Sequence, residues 1–380
     1  MNFYNKDFKL GILGGGQLGR MLIQEAVNYN INVCVLDPAK DCPCSKISSE
    51  FTQGSFNDYD TVVEFGKDKD VITIEIEHVN IEALKELESR GIKVFPQPDI
   101  LEIVKDKGLQ KEFYKKNGIP TADYRLVENK AGIEQYRSEF PFMQKARTGG
   151  YDGKGVTPLR NELDLDKAFD CPSVLEKMVP FEKEIAVIVS RNENGKISTF
   201  PVVELDFNPE ANLVEYLFSP ARISKEIEQK AKDIAVKTAE AFGIIGLLAV
   251  ELFLTKEGEV LVNEVAPRTH NSGHHTIEGN YTSQFEQHLR SVLNMPLGNT
   301  DIINPAVMIN LLGEKDFSGP AVYNGLEQVM QMKGVYIHLY GKTETKPFRK
   351  MGHTTCVSET LDMALMNAKK VQQHLTVISK

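Results

Sequence analysis

Over its first hundred residues the chain alternates short apolar runs with helical patterns, and this alternation constrains the fold more than any other feature. Residues 9–14 (KLGILG) read as a strand, 17–28 as a helix, 32–36 (NVCVL) as a second strand and 71–76 as another. Such alternation predicts a parallel sheet with helices on both faces. Between the first strand and helix, Gly14, Gly16 and Gly19 match G-x-G-x-x-G, and Asp37 ends the next strand 18 residues after Gly19. Glycines there let backbone N–H groups approach a phosphate at a helix N-terminus. Three occupants fit equally: an NAD(P) dinucleotide, the phosphate of a small ribonucleotide, or none, the turn being merely tight.

With 380 residues the chain exceeds one ordinary core, so two or three domains are expected. A helix over 108–117, stopped by Gly118 and Pro120, opens a second unit after a connector at 97–108. Further on, 225–242 reads as a helix with Ile227, Ala231, Ile234, Thr238 and Ala241 on one face and Gly243 as its stop. Beyond Pro305 come short β-rich segments and a last helix near 359–374. The net charge of −9 argues against a nucleic-acid partner, and no apolar stretch approaches a membrane span. The first ten residues are too polar for a secretion signal. Five cysteines form no disulfide framework or zinc spacing, so unbridged thiols in a reducing cytoplasm are expected.

The run 145–155 (KARTGGYDGKG) sets four glycines among two lysines and an arginine. It is not a Walker loop, because Gly153-Lys154 is followed by Gly155 and Thr148 stands where the first glycine belongs. A loop so rich in glycine is costly to order and gains most by closing over an anion.

Residues 246–255 (GLLAVELFLT) and 259–267 (EVLVNEVAP) read as a hairpin. With a two-residue turn at Glu257-Gly258, Lys256 faces Glu259, and Glu251 falls opposite Glu264 on the same face. Like charges opposed across a sheet are destabilising unless compensated, and a divalent cation compensates. Mg2+ suits one or two carboxylates plus substrate phosphates. The plain alternative, two solvated glutamates, fits poorly with strands otherwise apolar. If the second strand runs on, Ala266, Arg268 and His270 share its face, with Asn271 and His274 close behind, as an anion site. The histidines lack a zinc-enzyme spacing, and His274 and His275 are also readable as structural.

Taken in order, 14–21 (GGGQLGRM), 145–155, 176–184 (EKMVPFEKE), 263–274 (NEVAPRTHNSGH) and 350–353 (KMGH) resemble the ATP-grasp purine ligases, narrowing to the 5-(carboxyamino)imidazole ribonucleotide synthases. The metal-binding asparagine that many ATP-grasp enzymes carry two residues after the second glutamate is Ala266 here, a departure that matches this subgroup. The resemblance implies an ATP-grasp fold, α/β and α+β in several domains: a Rossmann-like unit at 1–105, the ATP-grasp unit at 106–300 with a glycine-rich lid at about 120–180, and a small β-rich unit at 301–380. It implies ATP held by Lys107, Lys145, Gly150, Tyr151, Asp152, Gly153, Lys154, Gly155, Val156, Glu176, Lys177, Met178, Val179, Glu184, Asn263 and Glu264, with Mg2+ (or Mn2+) on Glu251 and Glu264. Arg268, His270 and Asn271 would hold bicarbonate, and Asp152 would orient or deprotonate the substrate amine. Gly16, Gln17, Leu18, Glu77, Tyr151, Lys342, Arg349 and Lys350 would bind the ribonucleotide, with Lys342 counted among the catalytic groups. It implies ATP-dependent carboxylation of 5-aminoimidazole ribonucleotide through carboxyphosphate, by a homodimer. Rival readings are a formate-using glycinamide ribonucleotide transformylase, an NAD(P) oxidoreductase built on the first glycine turn, and a regulator that binds ATP without hydrolysing it.

Overall fold

Five parallel strands in the order Glu50–Gln53, Asn32–Asp37, Lys9–Leu13, Val71–Ile74, Lys93–Val94 form the N-terminal sheet of the computed structural model, which describes residues 3–150, 155–208 and 213–380. Lys9–Leu13 and Val71–Ile74 are buried almost end to end, as central parallel strands covered on both faces must be. Chain order reverses between these two strands, so a crevice opens at their C-terminal ends, where Gly14–Gly16 meet Glu75. The helix Gln17–Asn28 buries Met21, Leu22, Ile23 and Ala26 in a cluster that also takes Phe285, Leu289 and Val292 from the helix Gln284–Val292. The glycine turn is thereby packed against the second unit rather than left on a separate body.

The sequence reading missed the helices Tyr59–Gly66 and Ile81–Ser89 and the short edge strands. The expected connector at 97–108 is in fact the helix Pro98–Lys105 running into Lys107–Lys116. Pro98, at the first helical position, was the signal for it.

A nine-stranded sheet carries the rest. Along its main path Val260–Ala266, Gly246–Thr255, Phe181–Arg191, Val203–Asn208, Leu213–Ser219, Ala306–Leu312, Lys350–Val357 and Val335–Leu339 follow one another. The β-rich third unit therefore shares this sheet, Tyr216 pairing with Ile309 and Phe218 with Val307, while Glu344–Thr345, Gly319–Asn324 and Thr376–Ser379 form a separate three-stranded sheet. The helix Lys225–Phe242 covers one face through Ala231, Ala235, Ala239 and Phe242. Ser224 caps its first turn, and Gly243, at φ +62°, supplies the left-handed stop. A smaller antiparallel sheet, in the order Tyr124–Val127, Ser173–Lys177, Phe142–Ala146, Val156–Leu159, stands over one end. The glycine-rich run links its last two strands. Among the described residues no helix is long and apolar enough to cross a membrane.

Candidate active site

Glu251 and Glu264 are paired across the hairpin as expected, but by a different route. Thr255, not Lys256, pairs with Glu259, so the turn holds three residues rather than two. Toward the other end Leu252 faces Val262 while Glu251 faces Glu264, leaving Asn263 as a bulge that restores the register. The bulge has a second effect. Neighbouring strand residues normally point to opposite faces, yet Asn263 and Glu264 both reach cleft lysines, Lys145 Nζ at 2.8 Å and Lys107 Nζ at 2.6 Å.

The two carboxylates live in different fields. Burial, then the charge of Glu264, pushes Glu251 above the usual carboxylate range. Lys107 holds Glu264 below it. Among the described residues no cluster of three or more histidine, cysteine or acidic side chains could cage a metal. Two opposed carboxylates and open positions are the oxygen donor set that suits Mg2+ shared with substrate phosphates, so the residues present fit that ion.

On the ATP side, Glu176 is buried between two lysines: Lys145 Nζ lies 3.0 Å from one oxygen and Lys111 Nζ 3.2 Å from the other. Burial alone would raise Glu176, but Lys145 and Lys111 outweigh it and hold it low. Its side chain is therefore paired with Lys145 and Lys111 and is not left to face a base. The Lys177 amine is spent on the Glu139 carbonyl and the Phe142 ring and its N–H on the Asp123 carbonyl, so only its backbone carbonyl can serve a nucleotide. Val179, just beyond the strand, has an N–H without a partner among the described residues. Burial pushes Glu184 up to about 7. Asp106 grips Arg147 with both oxygens, at 2.7–3.1 Å, tying the start of the Lys107 helix to the glycine-rich run. At the end of that run Gly155 takes φ +74° before Val156 pairs with Lys145. The expected roles of Tyr151, Asp152, Gly153 and Lys154 fall outside the described residues.

The second hairpin strand ends at Ala266, so the expected run-on does not occur; the chain turns into a short 3-10 helix at Asn271–Gly273. Arg268 and His270 still reach the cleft. Arg268 lies 2.8 Å from Glu77, and His270 Nε2 3.7 Å from Glu251. Among the described residues Arg268 Nε and Asn271 Oδ1 are buried without hydrogen-bond partners, a donor and an acceptor that a small oxyanion bearing an O–H would satisfy. His274 and His275 are buried and held neutral by that burial, the structural alternative of the two.

At the glycine turn the nest of N–H groups is already filled. Gly16 and Gly19 donate to the Glu75 carboxylate, Gly19 at 2.7 Å, and Gly15 donates to Asp37 at 2.8 Å. Asp37, the acid that ends the second strand, holds the turn itself, and an incoming phosphate finds only the N–H groups of Gln17 and Leu18 without partners among the described residues. From the C-terminal side Gly341, the residue before Lys342, comes against Arg20 of the same helix. Lys342 donates to the Lys350 carbonyl at 2.6 Å, and the Lys350 charge acts on Glu251. Arg349 donates to the Glu344 carbonyl at 2.7 Å.

Sequence reasoning missed Glu75, Lys111, Arg147 with Asp106, and Gln284. Only Lys111 carried a local signal, standing four residues after Lys107 on the same helix.

Comparison with known proteins gives the same architecture. Residues 8–105 match the ribonucleotide synthetase preATP-grasp domain, 112–285 the ATP-grasp domain and 306–367 the phosphoribosylaminoimidazole carboxylase C-terminal domain. The N5-carboxyaminoimidazole ribonucleotide synthase of Bacillus subtilis is 39% identical over 361 residues, 93% of this chain and 92% of that one. A chloroplastic phosphoribosylaminoimidazole carboxylase of Vigna aconitifolia is 40% identical over 93% of this chain, which spans 64% of that longer protein. The crystal structure of the synthetase from Thermotoga maritima superposes with a TM-score of 0.90 at 44% identity, covering 98% of this chain and all of that one. The Aspergillus clavatus synthase in complex with ADP and 5-aminoimidazole ribonucleotide gives 0.89 at 34% identity, covering 97% of this chain and 98% of that one. The chain belongs to the N5-carboxyaminoimidazole ribonucleotide synthase family of ATP-grasp ligases, enzymes of ATP-dependent aminoimidazole ribonucleotide carboxylation in purine biosynthesis.

Proposed function

We propose that this chain carries out its family's reaction with bicarbonate as the carboxyl donor: ATP, bicarbonate and 5-aminoimidazole ribonucleotide give the N5-carboxyamino ribonucleotide, ADP and phosphate. One observation carries the reading. Lys107, Glu264, Glu251 and His270 stand in that order, so a phosphate-binding cation and an oxyanion site flank one carboxylate pair. Transfer of a phosphoryl group from ATP to bicarbonate needs that order. Phosphoryl transfer is mostly positioning and charge neutralisation, which explains cations in place of a protein nucleophile.

In this reading Lys107 and Lys145 hold the ATP phosphates, Val179 and the backbone of Glu176–Met178 take the adenine, and Glu184 takes the ribose hydroxyls. Glu251 and Glu264 hold Mg2+, or Mn2+; when bound there the ion neutralises charge on the transferring phosphates. Arg268, His270 and Asn271 orient bicarbonate, whose oxygen attacks the γ-phosphorus to give carboxyphosphate and ADP. The glycine-rich run closes over the site and excludes water from that labile anhydride. The substrate amine then takes the carboxyl carbon and phosphate leaves, with the amine proton as the last product to be removed. Gln17 and Leu18 N–H groups, Lys342, Arg349 and Lys350 hold the ribonucleotide phosphate, and Glu77 its ribose or base.

The spans 1–105, 106–300 and 301–380 are proposed as the domains, and the three matched families fall within them. A homodimer and a cytoplasmic location complete the reading; five free thiols accord with the latter, and light scattering tests the former. The deciding experiment measures ADP release from Mg-ATP, omitting bicarbonate and the aminoimidazole in turn. Release that needs both and ignores formate with glycinamide ribonucleotide is expected. Release indifferent to the aminoimidazole would overturn the assignment of the acceptor.

A further inference from the structure

Gln284, the first residue of the helix Gln284–Val292, is fully buried, yet its amide does nothing for its own helix. Its Oε1 accepts from the His270 N–H at 2.9 Å, and its Nε2 donates to the His270 carbonyl at 2.7 Å. Because a backbone N–H can only donate and a carbonyl only accept, these two bonds fix which end of the amide is oxygen. The same Nε2 lies 3.0 Å from His274 Nδ1, which must then be the acceptor, leaving the single proton of this neutral ring on Nε2. Gly273 makes the room: a Cβ there would collide with the Gln284 amide and Ile188.

His270 stands four residues beyond the end of the hairpin strand, where no sheet neighbour pairs its backbone. A side-chain amide replaces that neighbour. The ring is fixed separately, since the Ser272 N–H donates to His270 Nδ1 at 3.3 Å. Ser272 Oγ lies 2.9 Å from the same nitrogen, so the ring is held at Nδ1 and presents Nε2 to Glu251 at 3.7 Å. Backbone and ring contacts together aim that nitrogen at the carboxylate pair.

We propose that Gln284 is a positioning residue for the carboxylation, acting through His270 by substituting for the missing strand neighbour. This rests on the reading of His270 as a bicarbonate ligand. A buried amide costs desolvation that a methionine of similar volume would avoid, so packing alone does not call for it.

The test compares Gln284→Met, Gln284→Glu, His270→Ala and the double variant Gln284→Met with His270→Ala, in the full chain, by KM for bicarbonate, KM for the aminoimidazole ribonucleotide and Kd for Mg-ATP. A misplacement of about 1 Å costs up to about 100-fold in rate, so kcat/KM for bicarbonate is expected to fall about 10- to 100-fold in Gln284→Met. Mg-ATP affinity is expected to stay within about 2-fold. In the double variant the two losses should not multiply, because one residue acts through the other. Gln284→Glu keeps the shape and the acceptor but, ionised, loses both donations, and is expected to behave like Gln284→Met. Multiplying losses, unchanged bicarbonate kinetics in a folded Gln284 variant, or failure of both Gln284 variants to fold would each overturn the proposal. If His270→Ala itself leaves bicarbonate kinetics untouched, the bicarbonate-ligand reading fails instead, and Gln284 falls with it.

Discussion

Glu264 touches Lys107 at 2.6 Å while its hairpin partner Glu251 faces His270 at 3.7 Å, so one carboxylate pair joins the phosphate side of the cleft to the oxyanion side. Glu264→Gln keeps the shape and removes the charge that both Lys107 and a bound Mg2+ require. ATP turnover is expected to fall by about 1,000-fold or more, several kcal/mol of transition-state charge stabilisation. The Glu264 side chain is 45% exposed to the cleft, so the fold should be unaffected. Turnover and circular dichroism measured together check this; normal turnover in the folded variant would remove the pair from the mechanism.

Burial raises the Glu184 carboxyl from 4.5 to about 7. Between those values the folded chain binds more protons than the unfolded one, so this group's contribution is fully present below 4.5 and is lost as pH rises through about 7. Partial solvent access discounts the full linkage to about 1–2 kcal/mol. Glu184→Gln should therefore stabilise the ATP-free protein at pH 8 and leave it unchanged near pH 4, while weakening Mg-ATP. Denaturant midpoints at the two pH values measure it, and equal midpoints at pH 8 would mean that the carboxylate is well solvated.

Removing one partner of a buried ion pair is more harmful than never having built it. Glu176→Gln leaves Lys111 and Lys145 facing each other with no carboxylate between them, and a loss of about 3–5 kcal/mol is expected. Burial holds Lys111 at about 8 even with Glu176 supporting its charge, so without Glu176 it sheds its proton below that value, and the loss should shrink as pH rises toward 8. Adding Lys111→Met should recover part of it. Equal stability of Glu176→Gln and wild type in urea would show that the lysines find other partners.

How much of this was legible depended on how far each contact reaches along the chain. The hairpin carboxylates were readable because their pairing is local; the turn was miscounted by one residue, and the bulge at Asn263, which no periodicity marks, cancelled the error. The glycine turn was readable as a turn, but its occupant was not. Glu75 reaches Gly16 across 59 residues, and only the adjacency of Lys9–Leu13 to Val71–Ile74 brings it there. Gln284 was invisible for the same reason, since its role depends on where the hairpin strand stops. Strand alternation placed Arg268 and His270 in the cleft by assuming a strand that ends before them; the tight 3-10 turn and the Gln284 amide do that work instead.

The filled nest at the glycine turn leaves no room for a side chain at Gly16. Its φ of −81° is open to any residue, so Gly16→Ala carries no backbone strain. A Cβ there would instead run into Glu75 Oε1, the oxygen that accepts from the Gly16 N–H. Either the carboxylate leaves the nest or the turn shifts, and both move the N–H groups of Gln17 and Leu18. KM for the aminoimidazole ribonucleotide is expected to rise about 10- to 100-fold, while Kd for Mg-ATP, held on the far side of the carboxylate pair, stays level. Shortening Glu75 in the same chain, Gly16→Ala with Glu75→Ala, should relieve the collision and recover part of the loss if the clash is its cause. An unchanged KM in a folded Gly16→Ala variant would separate the turn from the substrate phosphate and leave the C-terminal lysines to hold it alone.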